Sequence, residues 1–111
     1  MNKALLKAVA ERIIARPENY NQNQFCGTVC CIAGHVALMT GIDIDPYKDY
    51  FSSLRKIQQL LELTNKQWGD LCLFAFYWPK EFADKWENTV EPAGRAQVAY
   101  DRIMHMIRTG E

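Results

Sequence analysis

An apolar run at residues 26–37 constrains this chain more than any other feature. It reads Cys26-Gly27-Thr28-Val29-Cys30-Cys31-Ile32-Ala33-Gly34-His35-Val36-Ala37 and holds three of the four cysteines, one of the two histidines and two glycines. Thr28 suits a helix N-cap, and Gly41, after Thr40, suits the left-handed position that ends a helix. The spacing therefore predicts a helix over about 29–39. A helix that is apolar on every side must be covered on every side, which places this one at the centre of the fold. Gly34 costs such a helix about 1 kcal/mol against alanine, and close approach of a neighbouring helix explains it.

The flanking segments carry helical periodicity. Leu5, Leu6, Val9, Ile13 and Ile14 form one stripe over residues 2–16, stopped by Pro17. Leu54, Ile57, Leu60 and Leu61 mark a helix over 51–63. Thr64 and Gln67 then stand at the spacing of a capping box, opening a helix that contains Trp68, Leu71, Cys72 and Phe74. Pro79 suits the start of a short helix through Phe82 and Trp86. Pro92 opens a last one striped by Ala96, Ala99, Ile103, Met106 and Ile107, and Gly110 closes it. No segment alternates with period two. The expectation is an all-α, compact single-domain bundle of five or six helices, spanning 1–111 and wrapped around the 29–39 helix.

Charge narrows the function classes. The 13 basic and 13 acidic side chains cancel and interleave along the chain, so no basic stripe suited to a phosphate backbone stands out and nucleic-acid binding is disfavoured. The N-terminal stretch is amphipathic and charged, unlike a secretory segment, and the longest apolar run is too short to span a bilayer. These features predict a cytoplasmic protein away from membranes, with reduced cysteines; a bridge between adjacent Cys30 and Cys31 would be strained.

Four segments carry a resemblance: C-G-T-V-C-C-I-A-G-H-V-A at 26–37, L-T-N-K-Q-W-G-D-L-C-L-F at 63–74, W-P at 78–79 and R-A-Q-V-A-Y-D-R-I-M-H-M-I-R-T-G at 95–110. In their order the chain resembles a group of small helical proteins of bacteria and their phages that share a C-G-T-x-x-C-x-A-G motif. The resemblance implies a helical architecture and a bacterial or phage origin, and it brings no catalytic residues. His35 stands where similar sequences more often carry Trp, and Cys30 where they more often carry a small residue.

Three constellations invite chemistry. Cys26 at a helix N-terminus would gain thiolate character, and Thr28 and Val29 amides beside it suit an oxyanion, so a thiol-dependent hydrolase or transferase is one reading. His35 lies about 13 Å along the helix from Cys26, which leaves His105 as its base. Cys31 and His35, four apart, share a helix face as two metal ligands would, although no second ligand pair follows. Read plainly, these are small or structural residues of a core, and no cofactor is implied. The aromatic residues Tyr20, Tyr47, Tyr50, Phe51, Tyr77, Trp78, Phe82 and Trp86 cluster near loops and helix ends. If two or three stay exposed beside Arg16, Lys80 or Arg95, they make a stacking or docking surface. The sequence thus points to a non-enzymatic binding protein, an accessory or counter-defence factor acting on a host protein. A variant of that reading sequesters a small signalling molecule such as a nucleotide, with Arg16, Tyr20, Trp78, Lys80 and Arg95 as the pocket.

Overall fold

The computed structural model describes residues 1–23, 31–43 and 50–111. Among them are six α-helices and two short 3-10 turns, with no strand, in an all-α fold. The helices are α1 (Lys3–Ala15), α2 (Ile32–Thr40), α3 (Tyr50–Leu61), α4 (Asn65–Cys72), α5 (Lys80–Glu87) and α6 (Pro92–Thr109). Cys26, Thr28 and Cys30 lie outside the described residues.

Local sequence explains most boundaries. The Asn2 side chain accepts from the Leu5 amide at 3.1 Å and caps α1. Its backbone and side-chain amides also donate to Leu61 and Leu60 carbonyls at the end of α3, at 2.8 and 3.0 Å. One residue thus ends one helix and begins another, satisfying orphan groups of both. Thr64 and Gln67 form the expected capping box on α4, at 3.1 and 3.0 Å. Gly41 and Gly110 adopt the left-handed conformation after α2 and α6, with φ of 74° and 78°.

α3 ends two residues before the expected position, at Leu61, and two other boundaries differ in ways that bear on the surface. The central helix begins at Ile32, with Cys31 at its N-cap, three residues later than expected. The helix N-terminus therefore belongs to Cys31, five positions after Cys26. The fourth helix stops at Cys72 and leaves Phe74 outside it. The Leu71 carbonyl, which a continuing helix would pair with the Ala75 amide, accepts from the Trp78 indole nitrogen at 3.0 Å and from Gln22 at 3.4 Å. Side chains from elsewhere have taken the acceptor that the next turn needs.

The core runs along the helix interiors. α1 and α6 make the broadest helix–helix contact, and α2 packs among α1, α3 and α4. Every residue of α2 from Ile32 to Ala37 is buried, Gly34 and His35 included, as its unbroken apolarity requires. Small residues thin the α1 and α6 surfaces, since Ala10, Ala96 and Ala99 are wholly enclosed with Leu6, Val9, Ile13, Ile103 and Met106. Close-packed interiors have no room for an added isopropyl group. Ala99→Leu should therefore destabilise the fold by about 1–3 kcal/mol in urea denaturation while leaving the helical circular dichroism intact. Unchanged stability would show that this face of α6 is open.

Candidate functional site

The segment between α4 and α5 displays an aromatic surface. Residues Ala75–Tyr77 form a 3-10 turn, in which side chains three apart share a face. Ala75 and Trp78 occupy the inner face and are 3% and 4% exposed. Phe74, Phe76 and Tyr77 are pushed outward, at 48%, 69% and 53%. The Phe74 and Phe76 rings stack with centroids 5.5 Å apart and planes within 7°, and Tyr77 leans on Phe76 at 4.5 Å. Leu73 is exposed next to them. A single exposed apolar side chain is ordinary, but neighbouring rings left about half exposed each forgo roughly 1 kcal/mol or more of burial.

Two open cavities flank this stack. The larger, about 450 Å³, is lined by Phe76, Trp78 and Trp86, with Lys80, Asp84 and Glu87 at its edge. The smaller, about 160 Å³, is lined by Phe74, Leu73, Tyr50, Gln22, Cys31 and Cys72. Asn23 borders both. Lys80 pairs with Asp84 at 2.6 Å, whereas the Glu87 carboxylate has no partner among the described residues. Cys31 and Cys72 share the small cavity without a disulfide between them, and burial pushes the Cys72 thiol well up, away from the thiolate form.

Gln22 anchors the segment from beneath. It is buried, and its side-chain amide donates to the carbonyls of Leu73 at 2.5 Å and Leu71 at 3.4 Å. Its carbonyl oxygen accepts from the Tyr20 hydroxyl at 3.1 Å and from the Ile32 amide at 3.3 Å. Nothing in the local sequence marks Gln22, which sits in a polar Asn- and Gln-rich stretch; only the long-range contacts single it out.

Of the five residues assigned from sequence to a ligand pocket, Trp78 and Lys80 line the large cavity, and Tyr20 and Arg95 both interact with Trp86 in its wall. Tyr20 lies in the core, where burial raises its pKa, opposed in part by Trp86 and the Arg95 guanidinium. Arg95 is spent on Trp86, its guanidinium carbon 3.9 Å from the ring centroid, and on the Thr89 carbonyl at 2.5 Å. Arg16 is exposed and lines neither cavity.

The histidines and one arginine belong to the interior. His35 donates from Nε2 to the Asn19 carbonyl at 3.0 Å, so its proton sits on that nitrogen. Cys31 and His35 are both buried at the start of α2, and among the described residues no three His, Cys, Asp or Glu groups converge as metal ligands would. His105 packs against Phe82 at 5.2 Å with its Nδ1 buried and without a partner among the described residues; Cys26, its suggested nucleophile, lies outside them. Arg102 is wholly buried, donates from Nη2 to the Asp70 carbonyl at 3.1 Å and lies 5.7 Å from the Phe82 ring centroid. Burial lowers its pKa, and the Asp70 and Glu81 carboxylates act against that shift. Sequence did carry a signal for Arg102, because it stands three residues after Ala99 and four before Met106 on the core stripe of α6.

No described helix is long and apolar enough to cross a membrane. Comparison of the chain with protein-family models, with curated proteins and with solved structures finds no match.

Burial lowers the His35 pKa from 6.5, helped by Arg12 and opposed by the Asn19 carbonyl. A base whose folded pKa is depressed stabilises the fold above its unfolded value, and that contribution is lost as pH falls below it, because the unfolded chain takes up the proton first. Urea midpoints should therefore be flat above pH 6.5 and fall from there downward, before most carboxylates titrate at about pH 4. His35→Gln, which keeps a donor for Asn19 but cannot titrate, should flatten that fall. An identical slope in the variant would exclude His35 as its origin.

Proposed function

We propose that this chain is a non-enzymatic binding protein that docks on another protein through the aromatic segment Leu73–Tyr77, as an accessory factor of a bacterium or phage acting on a host protein. One observation carries the reading: Phe74, Phe76 and Tyr77 are consecutive in space, in ring contact, each about half exposed or more, and seated on a segment pinned at Leu71 and Leu73. Rigid exposed aromatic side chains lose little entropy on binding and supply much apolar area, which is why they dominate interface energetics.

The nucleotide-sequestering variant finds less support. A pocket for phosphates needs unspent cations, and here Lys80 is paired with Asp84, Arg95 is stacked on Trp86, and Arg16 is outside both cavities. The large cavity carries two carboxylates against one ammonium.

Affinity capture from a bacterial host lysate tests the reading when the native chain is compared with a Phe74→Ala/Phe76→Ala/Tyr77→Ala variant. Truncating exposed side chains should leave the melting temperature within a few degrees. Loss of interface anchors worth about 2 kcal/mol or more should reduce recovery of the partner at least roughly tenfold. Equal recovery by a folded variant would contradict the proposal, and so would failure of the native chain to retain any protein.

A further inference from the structure

The two cavities on either side of the Phe74–Phe76 stack differ in chemistry. Among the described residues the small one has no charged residue in its wall, and Phe74 and Leu73 make part of that wall apolar. The large one is walled by aromatic rings and edged by Asp84 and Glu87. Among the described residues the only cation of its lining, Lys80, is held by Asp84 in an exposed i,i+4 pair, and the Glu87 carboxylate has no partner among them. Aromatic faces beside carboxylates attract an organic cation twice, through the ring quadrupole and through charge. Trp86 already carries the Arg95 guanidinium over one face at 3.9 Å and Trp78 is buried, so Phe76, 69% exposed, is the ring that offers an open face. Among the described residues of its lining, an anion would meet two carboxylates and no unpaired cation. An exposed surface pair such as Lys80–Asp84 is weak and exchangeable, so it presents little barrier to a competing cation.

We infer that the docked partner inserts a basic side chain, arginine or lysine, into the cavity walled by Phe76, Trp78 and Trp86 and edged by Asp84 and Glu87, and an apolar side chain of the same segment into the smaller cavity across the Phe74–Phe76 stack. The inference rests on the docking reading above and specifies what that surface recognises. The partner segment is then one in which a basic and an apolar residue stand close enough to straddle a pair of stacked rings. Charge complementarity selects the segment and aromatic burial holds it.

Selection from a random displayed-peptide library on the immobilised full-length protein tests this directly. Peptides whose retention depends on Phe74 and Phe76 should be enriched in arginine or lysine, beside an aliphatic or aromatic residue, by roughly threefold or more over the library. Charge reversal at the exposed edge, Asp84→Lys with Glu87→Lys, should abolish that enrichment and turn selection toward aspartate and glutamate. Both positions are exposed, so the variant's melting temperature serves as the check that it is folded. Peptides that depend on Phe74 and Phe76 but show no basic enrichment, or an enrichment that charge reversal leaves intact, would overturn the inference and leave the docking reading standing. Failure to select any peptide that depends on those rings would overturn both.

Discussion

The buried amide of Gln22 is the interaction on which the arrangement of this surface depends. Four hydrogen bonds converge on one side chain that is 3% exposed, and they join segments far apart in sequence. Its oxygen accepts the Ile32 amide, one of the donors that a helix N-terminus leaves orphaned, and Cys31 at that N-cap makes no side-chain cap of its own. Its nitrogen takes the carbonyls of Leu71 and Leu73 at the end of α4. Away from water, each unmet group would cost about 1–3 kcal/mol, so the amide holds the beginning of the central helix and the end of α4 in register. The Trp78 indole adds a second tie to Leu71, and the turn between these anchors has little freedom left. Its phase then decides which rings face inward.

Much of the fold was legible because it follows from local rules. The stripes of α1 and α6, the capping box at Thr64 and Gln67, Pro92 in the first turn of α6, and the terminal glycines at 41 and 110 are encoded within a few residues of where they act. The unbroken apolarity of 32–37 likewise announced its burial. What was not legible depends on partners distant in the chain. The end of α4 is set by donors from Gln22 and Trp78, and Phe76 and Trp78 differ in exposure only because of a 3-10 turn that composition does not reveal. From eight aromatic residues near loops and helix ends the sequence reading expected most to cover the core and two or three to stay exposed, without saying which. Tyr20, Trp78, Phe82 and Trp86 are buried and Phe51 and Tyr77 exposed, whereas Phe74 and Phe76 were not among the eight.

The interior holds polar groups at some cost. Arg102 is enclosed with only one of its donor nitrogens engaged among the described residues, and His35 with one of its two nitrogens. Removing a guanidinium from water is expensive, and the pull of the Asp70 and Glu81 carboxylates offsets that cost only in part. These groups sit behind the surface rather than on it. Arg102 reaches the backbone of α4 at Asp70, next to the residues that Gln22 holds, so the support of the aromatic segment extends back to α6. A rigid backing of this kind lowers the ordering cost when a partner binds.

Amide hydrogen exchange at Tyr77 and Trp78, compared between the native chain and Gln22→Met, tests the central claim most directly. Both amides are donors within the aromatic segment, to the Phe74 and Ala75 carbonyls at 3.0 Å. Methionine keeps the length of the side chain and removes all of its strong hydrogen-bonding groups. If Gln22 holds the surface in place, these two amides should exchange on the order of tenfold faster or more, while the amides of α1 and α6 keep their protection. Unchanged exchange at Tyr77 and Trp78, or an equal loss of protection in α1 and α6, would contradict the account.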